Sequence, residues 1–210
     1  MYSAKQKILE NTELLNLGLH NDTDKVRSGG SIKSYLKVYE YYFKALQDKE
    51  IKLLEIGVRT GASVKTWEQY FSKAKIFGLD IDDCTIHSND RIKILQGSQN
   101  NVEDLKRLIH LAGEFDIIID DGSHMNEDIL ISFDHLFPYL KSGGIYIIED
   151  LSNSYPKGTC GDNKLDNSRE SIQTLFNKLI FEMDKSSWET CDSSCFSIHF
   201  FPSLCVIIKN

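Results

Sequence analysis

From Ile51 onward, short apolar runs alternate with segments whose apolar residues recur every three or four positions. The runs at residues 52–56, 75–79, 92–95, 115–119 and 145–148 have strand length. Between them, residues 63–71, 102–111 and 129–140 carry helical periodicity. In the last of these, Ile129, Phe133, Leu136 or Phe137, and Leu140 fall on one stripe. Strands alternating with helices of this length predict βαβ units, a parallel sheet and right-handed crossovers. The end of the chain departs from that rhythm. Apolar runs at 196–201 and 204–209 are separated only by Pro202-Ser203, which is too short for a crossover, so an antiparallel hairpin is expected. The predicted fold class is α/β, a mostly parallel sheet closed by that hairpin.

Residues 1–50 follow a different pattern. Ile8, Leu9, Leu14, Leu15 and Leu17 suggest a short helix ending at Gly18, and a polar Gly/Ser stretch runs from Asp22 to Ser31. Residues 32–46, with Tyr35, Tyr39, Tyr41 and Tyr42, read as a second amphipathic helix. The expected organisation is a helical cap at 1–50 on a main domain at 51–210. Residues 151–169 hold Gly, Asn, Ser and Pro but few apolar side chains. A loop of that length after a strand is expected to be a functional lid or disordered.

Composition narrows the partners. The 210 residues are 41% hydrophobic and 26% charged, an ordinary globular balance that needs no disulfide or structural metal to fold. With 24 Lys and Arg against 31 Asp and Glu, the net charge is −7. No basic cluster of the kind that tracks phosphates is present, so nucleic acid is not an expected partner. Neither a membrane-length apolar run nor a signal-peptide core at Met1–Lys7 is found, so a cytoplasmic protein is expected. Cys84, Cys160, Cys191, Cys195 and Cys205 form an odd, scattered set that suits reduced thiols. The Cys191/Cys195 spacing has no second pair to complete a zinc site.

The first strand opens into a helix through Glu55-Ile-Gly57-Val-Arg-Thr-Gly61. Glycines there allow a sharp turn and a close approach of ligand to backbone. The spacing is not the G-x-G-x-x-G of dinucleotide binders, whose pyrophosphate sits on the helix N-terminus, and Glu55 suits a cationic ligand better. Asp80, at the end of the second strand, lies 23 residues beyond Gly57, close to the roughly 20 of a ribose-binding acid. Gly57, Gly61 and Asp80 together point to a nucleoside such as S-adenosylmethionine. Read alone, they are tight turns and a solvated strand end.

The fourth and fifth strands end in Asp120-Asp121-Gly-Ser-His124 and Glu149-Asp150, and in a doubly wound sheet those ends meet in one crevice. Several carboxylates share a site only if a cation or protons compensate them. Oxygen-only donors select Mg²⁺ or a similar hard cation. Asp121, Glu149 and Asp150 are therefore candidate metal ligands, with Asp120 pointing into the sheet or toward the cofactor; a solvated acidic rim is the plainer alternative. His124 beside them is a candidate general base, or a structural histidine. His20, His87, His110, His135 and His199 have no such neighbours and read as structural.

At this point the chain resembles the class I S-adenosylmethionine-dependent methyltransferases typified by macrolide-sugar O-methyltransferases, a group related to cephalosporin-hydroxylase-type proteins. The resemblance rests on Asp-Asp-Gly-Ser-His and Glu-Asp-Leu within residues 115–151, with Gly61–Trp67, Gly78-Leu-Asp80-Ile, Thr23-Asp24-Lys25, Tyr35, Tyr39, Ser154-Tyr155 and the closing hairpin. It implies a Rossmann-like sheet, with metal on Asp121, Glu149 and Asp150 and the base on His124. It also implies cofactor contacts at Glu55, Gly57 and Asp80, with Gln99 near the adenine. The implied activity is Mg²⁺-assisted O-methylation of a sugar-like hydroxyl on a small molecule or glycan, and the N-terminal segment would cover the site or join subunits of a homo-oligomer. Ser98 and Ser152 stand where relatives commonly carry an acid and a histidine, no histidine precedes Tyr35, and the chain is shorter than the macrolide enzymes. The competing readings are an N-methyltransferase or hydroxylase-like relative, and a nucleoside-binding module without catalysis.

Overall fold

Strands buried on both faces read as continuous apolar runs, and that is the arrangement found at the centre of the sheet. In the computed structural model, which describes residues 12–27, 34–154, 171–186 and 193–210, seven strands form one sheet in the order β3-β2-β1-β4-β5-β7-β6. They are β1 (Lys52–Ile56), β2 (Lys75–Asp80), β3 (Ile92–Gln96), β4 (Phe115–Asp120), β5 (Leu140–Ile148), β6 (Cys195–Phe201) and β7 (Leu204–Lys209). β1 to β5 pair in parallel, and β7 runs antiparallel to both β5 and β6. The expected α/β class and the closing hairpin are both present. After β3 the chain returns to the far side of β1, so the strand order reverses between β1 and β4. Open α/β sheets bind ligands at that crevice.

The alternation of side chains across each strand divides the core in two. Leu53, Ile76, Ile117, Ile119, Ile145 and Ile147 face one layer, packed with α1 (Glu13–Asn21), α2 (Tyr35–Phe43) and α3 (Ala62–Tyr70). Leu54, Phe77, Ile118, Tyr146 and Ile148 face the other, packed with α4 (Val102–Ala112), α5 (Asn126–Leu136) and α6 (Ile172–Ser186). The described helices of the first fifty residues thus share one continuous core with the sheet.

Three local expectations need correction. The first helix does not end at Gly18 but continues to Asn21, where Asp22 adopts the left-handed conformation that terminates it. Gly18 is a packing residue, since a Cβ there would lie 2.1 Å from Leu36 Cδ1 on α2. The helix expected at 129–140 stops at Leu136, and a 3₁₀ turn containing Pro138 leads into β5. Finally, α6 was not anticipated. Its buried residues Ile172, Leu175, Phe176 and Leu179 hold the i, i+3, i+4, i+7 stripe of an amphipathic helix. Of the expected 151–169 loop, residues 155–169 lie outside the described residues, as do Cys160 and Cys191; residues 151–154 form a 3₁₀ turn. Among the described residues, no helix is long and apolar enough to cross a membrane.

Candidate functional site

The crevice between β1 and β4 opens into a cleft of about 650 Å³, within the range of small-molecule sites. Its walls are the glycine turn after β1, the end of β2, the loops after β3 and β4, Asp150, and residues 22–25 of the N-terminal segment. The two glycines of the turn serve packing. Gly57 has φ +87° and a Cβ on it would lie 2.1 Å from the Asp121 carbonyl oxygen; Gly61 has φ +75° and faces the His87 ring. Gly57 therefore lets the β1 turn lie against the loop that carries the acids, and it also lines the cleft, whereas Gly61 does not.

Asp80 is positioned by that same turn. Val58 N–H and Arg59 N–H both donate to its Oδ2 at 2.7 Å, and Asp82 N–H donates to its Oδ1 at 2.9 Å. These bonds fix the Asp80 carboxylate at the wall of the cleft, which it lines.

At the ends of β4 and β5 the acids separate into three environments. Asp121, His124 and Asp150 face the cleft, and one donor atom from each lies within 4.8 Å of the others. His124 Nε2 is 3.6 Å from Asp150 Oδ2 and 4.0 Å from Asp121 Oδ1. His124 (φ 60°) and Asp150 (φ 52°) both sit in the left-handed region, uncommon for residues with a Cβ. That backbone turns Asp150 outward while Glu149 points inward.

Glu149 does not join this cluster. It is buried with Glu55 around Lys25, whose ammonium donates to Asp121 Oδ2 and lies 2.9 Å from Glu149 Oε1 and 3.3 Å from Glu55 Oε1. The Tyr39 hydroxyl donates to Glu149 Oε1, and the Tyr35 hydroxyl, one helical turn earlier on α2, donates to Asp150 Oδ1 at 2.8 Å. Two tyrosines spaced four apart thus hold two consecutive carboxylates. Burial pushes Glu55, Asp121 and Glu149 above the usual carboxylate range, against the pull of Lys25. Burial would lower the Lys25 pKa, but the carboxylates outweigh it and raise it well above the usual range. Glu55 also accepts from Ser63 (2.7 Å) and Trp67 (3.1 Å), so this expected cofactor contact faces the interior.

Asp120 is the third case. It points away from the cleft, accepting from Gln99 Nε2 (3.1 Å), Ser132 Oγ and Tyr146 OH (3.4 Å). Without a cation in contact, burial pushes its carboxyl up to about 6. Of the two orientations open to Asp120, it takes the one into the sheet. Gln99 clasps the loop of the fourth strand, since its Oε1 accepts from Ser123 N–H at 2.6 Å while its Nε2 holds Asp120. It also lines the cleft.

The expected residues Gly57, Asp80, Gln99, Asp121, His124 and Asp150 line one cleft; Glu55, Asp120 and Glu149 lie behind it. Lys25 is the addition. It stood in the Thr23-Asp24-Lys25 pattern without an assigned role, and a single lysine in a polar stretch carries no sign of burial. Of the two cysteines weighed for zinc, Cys195 is buried in β6.

No family model matches the chain. It is 30% identical over 212 aligned positions to the 8-demethyl-8-alpha-L-rhamnosyl tetracenomycin-C 2'-O-methyltransferase of Streptomyces olivaceus, covering 94% of this chain and 54% of that protein. It is 38% identical over 141 residues to the demethylmacrocin O-methyltransferase of Streptomyces fradiae, covering 64% of this chain and 36% of that protein. Among solved structures, the MycE methyltransferase from the mycinamycin biosynthetic pathway, in complex with Mg and SAH, superposes with a TM-score of 0.81 at 28% identity, covering 95% of this chain and 55% of that one. The chain therefore spans about half, or less, of the length of these relatives.

Proposed function

The chain belongs to the macrolide-sugar O-methyltransferase family of class I methyltransferases, and from that premise we propose that its cleft takes S-adenosylmethionine and methylates a hydroxyl of a sugar or sugar-like natural product or glycan. The observation that carries this reading is the convergence of Asp121, His124 and Asp150 in the same cleft as Asp80. A hard divalent cation fits the two carboxylates on chemical grounds, being an oxygen seeker offered converging charged oxygens. When bound, S-adenosylmethionine supplies an electrophilic methyl group, and the cation makes an adjacent hydroxyl easier to ionise.

The chain's own residues do the rest. Asp80, oriented at the cleft wall by the glycine turn, accepts from ribose hydroxyls. Asp121 and Asp150 would hold the cation. His124 takes the acceptor's proton on its cleft-facing nitrogen, a role that suits an imidazole near neutral pH. A reducing, cytoplasmic setting is consistent with Cys84, Cys195 and Cys205 being free thiols.

Calorimetric titration with S-adenosylhomocysteine, with NAD as control and with Mg²⁺ or EDTA present, tests the reading. Binding of the nucleoside and not of NAD is expected; no binding would overturn it. His124→Ala should lose roughly 10²–10⁴-fold in turnover while keeping both binding heats. Unchanged turnover removes His124 from the chemistry, and loss of the Mg²⁺ heat reassigns it from base to ligand.

A further inference from the structure

The left-handed backbone of His124, with φ 60°, is a conformation that persists only where its surroundings over-determine it. The restraint lies on Ser123, the residue before it. Ser123 N–H donates to Gln99 Oε1 at 2.6 Å, and the Ser123 hydroxyl donates to Asp128 Oδ2 at 2.6 Å. Both partners are tied to the loop after β3. Gln99 belongs to that loop, and its neighbour Asn100 donates from Nδ2 to Asp128 Oδ1 at 2.9 Å. The other end of the Gln99 amide donates to Asp120 at 3.1 Å, so one buried side chain grips the chain on both sides of Asp121-Gly122.

Gly122 shows what this grip requires. Its φ is not in the left-handed region, so the backbone conformation there does not call for glycine. A Cβ at that position would instead lie 1.9 Å from Gln99 Oε1. The space left by the missing side chain is where the amide sits.

We propose that Gln99 is a positioning residue for His124. Its amide, seated on the bare backbone of Gly122, locks the loop after β4 and holds the base at its strained backbone angle. That role is distinct from the adenine contact that the resemblance implies. The strands bring the base to the cleft, and the neighbouring loop sets its aim. The work of His124 as base rests on the functional reading above; the lock rests on the contacts around Gly122 alone.

The test follows the six histidines by ¹H–¹³C NMR, with the signal lost in His124→Ala identifying that ring. Gln99→Ala and Gly122→Ala are each expected to move the His124 signal and leave the other five in place. A His124 signal unmoved by either variant overturns the proposal. A fall in S-adenosylhomocysteine affinity with that signal unmoved would make Gln99 the adenine contact instead. Urea unfolding of both single variants and the double variant completes a cycle. Without the amide there is nothing for the new methyl group to meet, so Gly122→Ala should cost far less stability in the Gln99→Ala background than in wild type. Additive losses would mean that the two residues do not act on each other, and the lock fails. Gly122→Ala takes no side chain from the interior, so it carries the NMR test where Gln99→Ala does not fold. In methyl transfer both variants should lose up to roughly 10²-fold in kcat, as a misaimed group does, with a smaller change in the KM for S-adenosylmethionine. A protein that binds no S-adenosylhomocysteine defeats the functional reading, and the histidine signals and the cycle then decide the lock by themselves.

Discussion

Asp120 and Asp121 are neighbours in sequence but lie in opposite electrical settings. Asp120 turns toward α5, where its hydrogen-bond partners are neutral groups: the Gln99 amide, the hydroxyls of Ser132 and Tyr146, and the Gly122 backbone. Its carboxyl is pushed up to about 6 by burial. Asp121 turns toward the other layer and meets Lys25, one ammonium among three carboxylates. The first region is a hydrogen-bond network that accommodates a proton, and the second is a charge cluster that needs a cation. Neutral donors can orient a buried carboxylate, but only opposite charge lets several ionise together.

The largest effect that would break this contrast is on the charged side. Lys25→Met should lose about 3–5 kcal/mol of stability in urea unfolding without metal, because it leaves buried charges uncompensated. A loss below about 1 kcal/mol would mean that the cluster is already protonated.

On the neutral side the effect is smaller and depends on pH. A carboxyl raised to about 6 in the folded chain binds a proton there more readily than in the unfolded chain. Stability from this group is thus present at low pH and lost as pH rises from about 4 through about 6, by at most about 3 kcal/mol. Asp120→Asn should remove that part of the slope, read as the difference between the two pH–stability curves. Identical curves would place Asp120 outside the titration. The smallest effect belongs to an exposed pair at the cleft mouth, Arg59 and Asp24 at 3.3 Å. Arg59→Ala should change stability by no more than about 0.5 kcal/mol, since solvent screens such pairs. A larger loss would show that the mouth behaves like the interior.

The same contrast explains what could be read from the residues beforehand. The central strands were legible because both faces are buried, and the hairpin because two residues leave no room for a crossover. Gly18 was misread because a glycine after a helical run usually marks its end, whereas here it makes room for Leu36 Cδ1. α6 was missed although its apolar stripe is present in the sequence. The cleft residues Asp80, Asp121, His124 and Asp150 were legible because strand ends at a sheet's reversal point collect ligand contacts. Which acid faces inward was not. That depends on the left-handed backbone at Asp150 and on Lys25, whose partners come from three different strands.

The Tyr35 hydroxyl shares its one proton between Asp150 and, at 3.1 Å, the carbonyl of Ser203 in the β6–β7 turn, a residue 168 positions away. An early helix and the closing hairpin thus meet at the acid pair. Contacts of such separation form late, after shorter loops have closed. Completing the acid pair therefore requires the early helix and the closing hairpin both to have docked, and a metal ion held there would stabilise that finished arrangement. A nascent chain lacking the hairpin has the strands of the cleft but not the turn that anchors Tyr35.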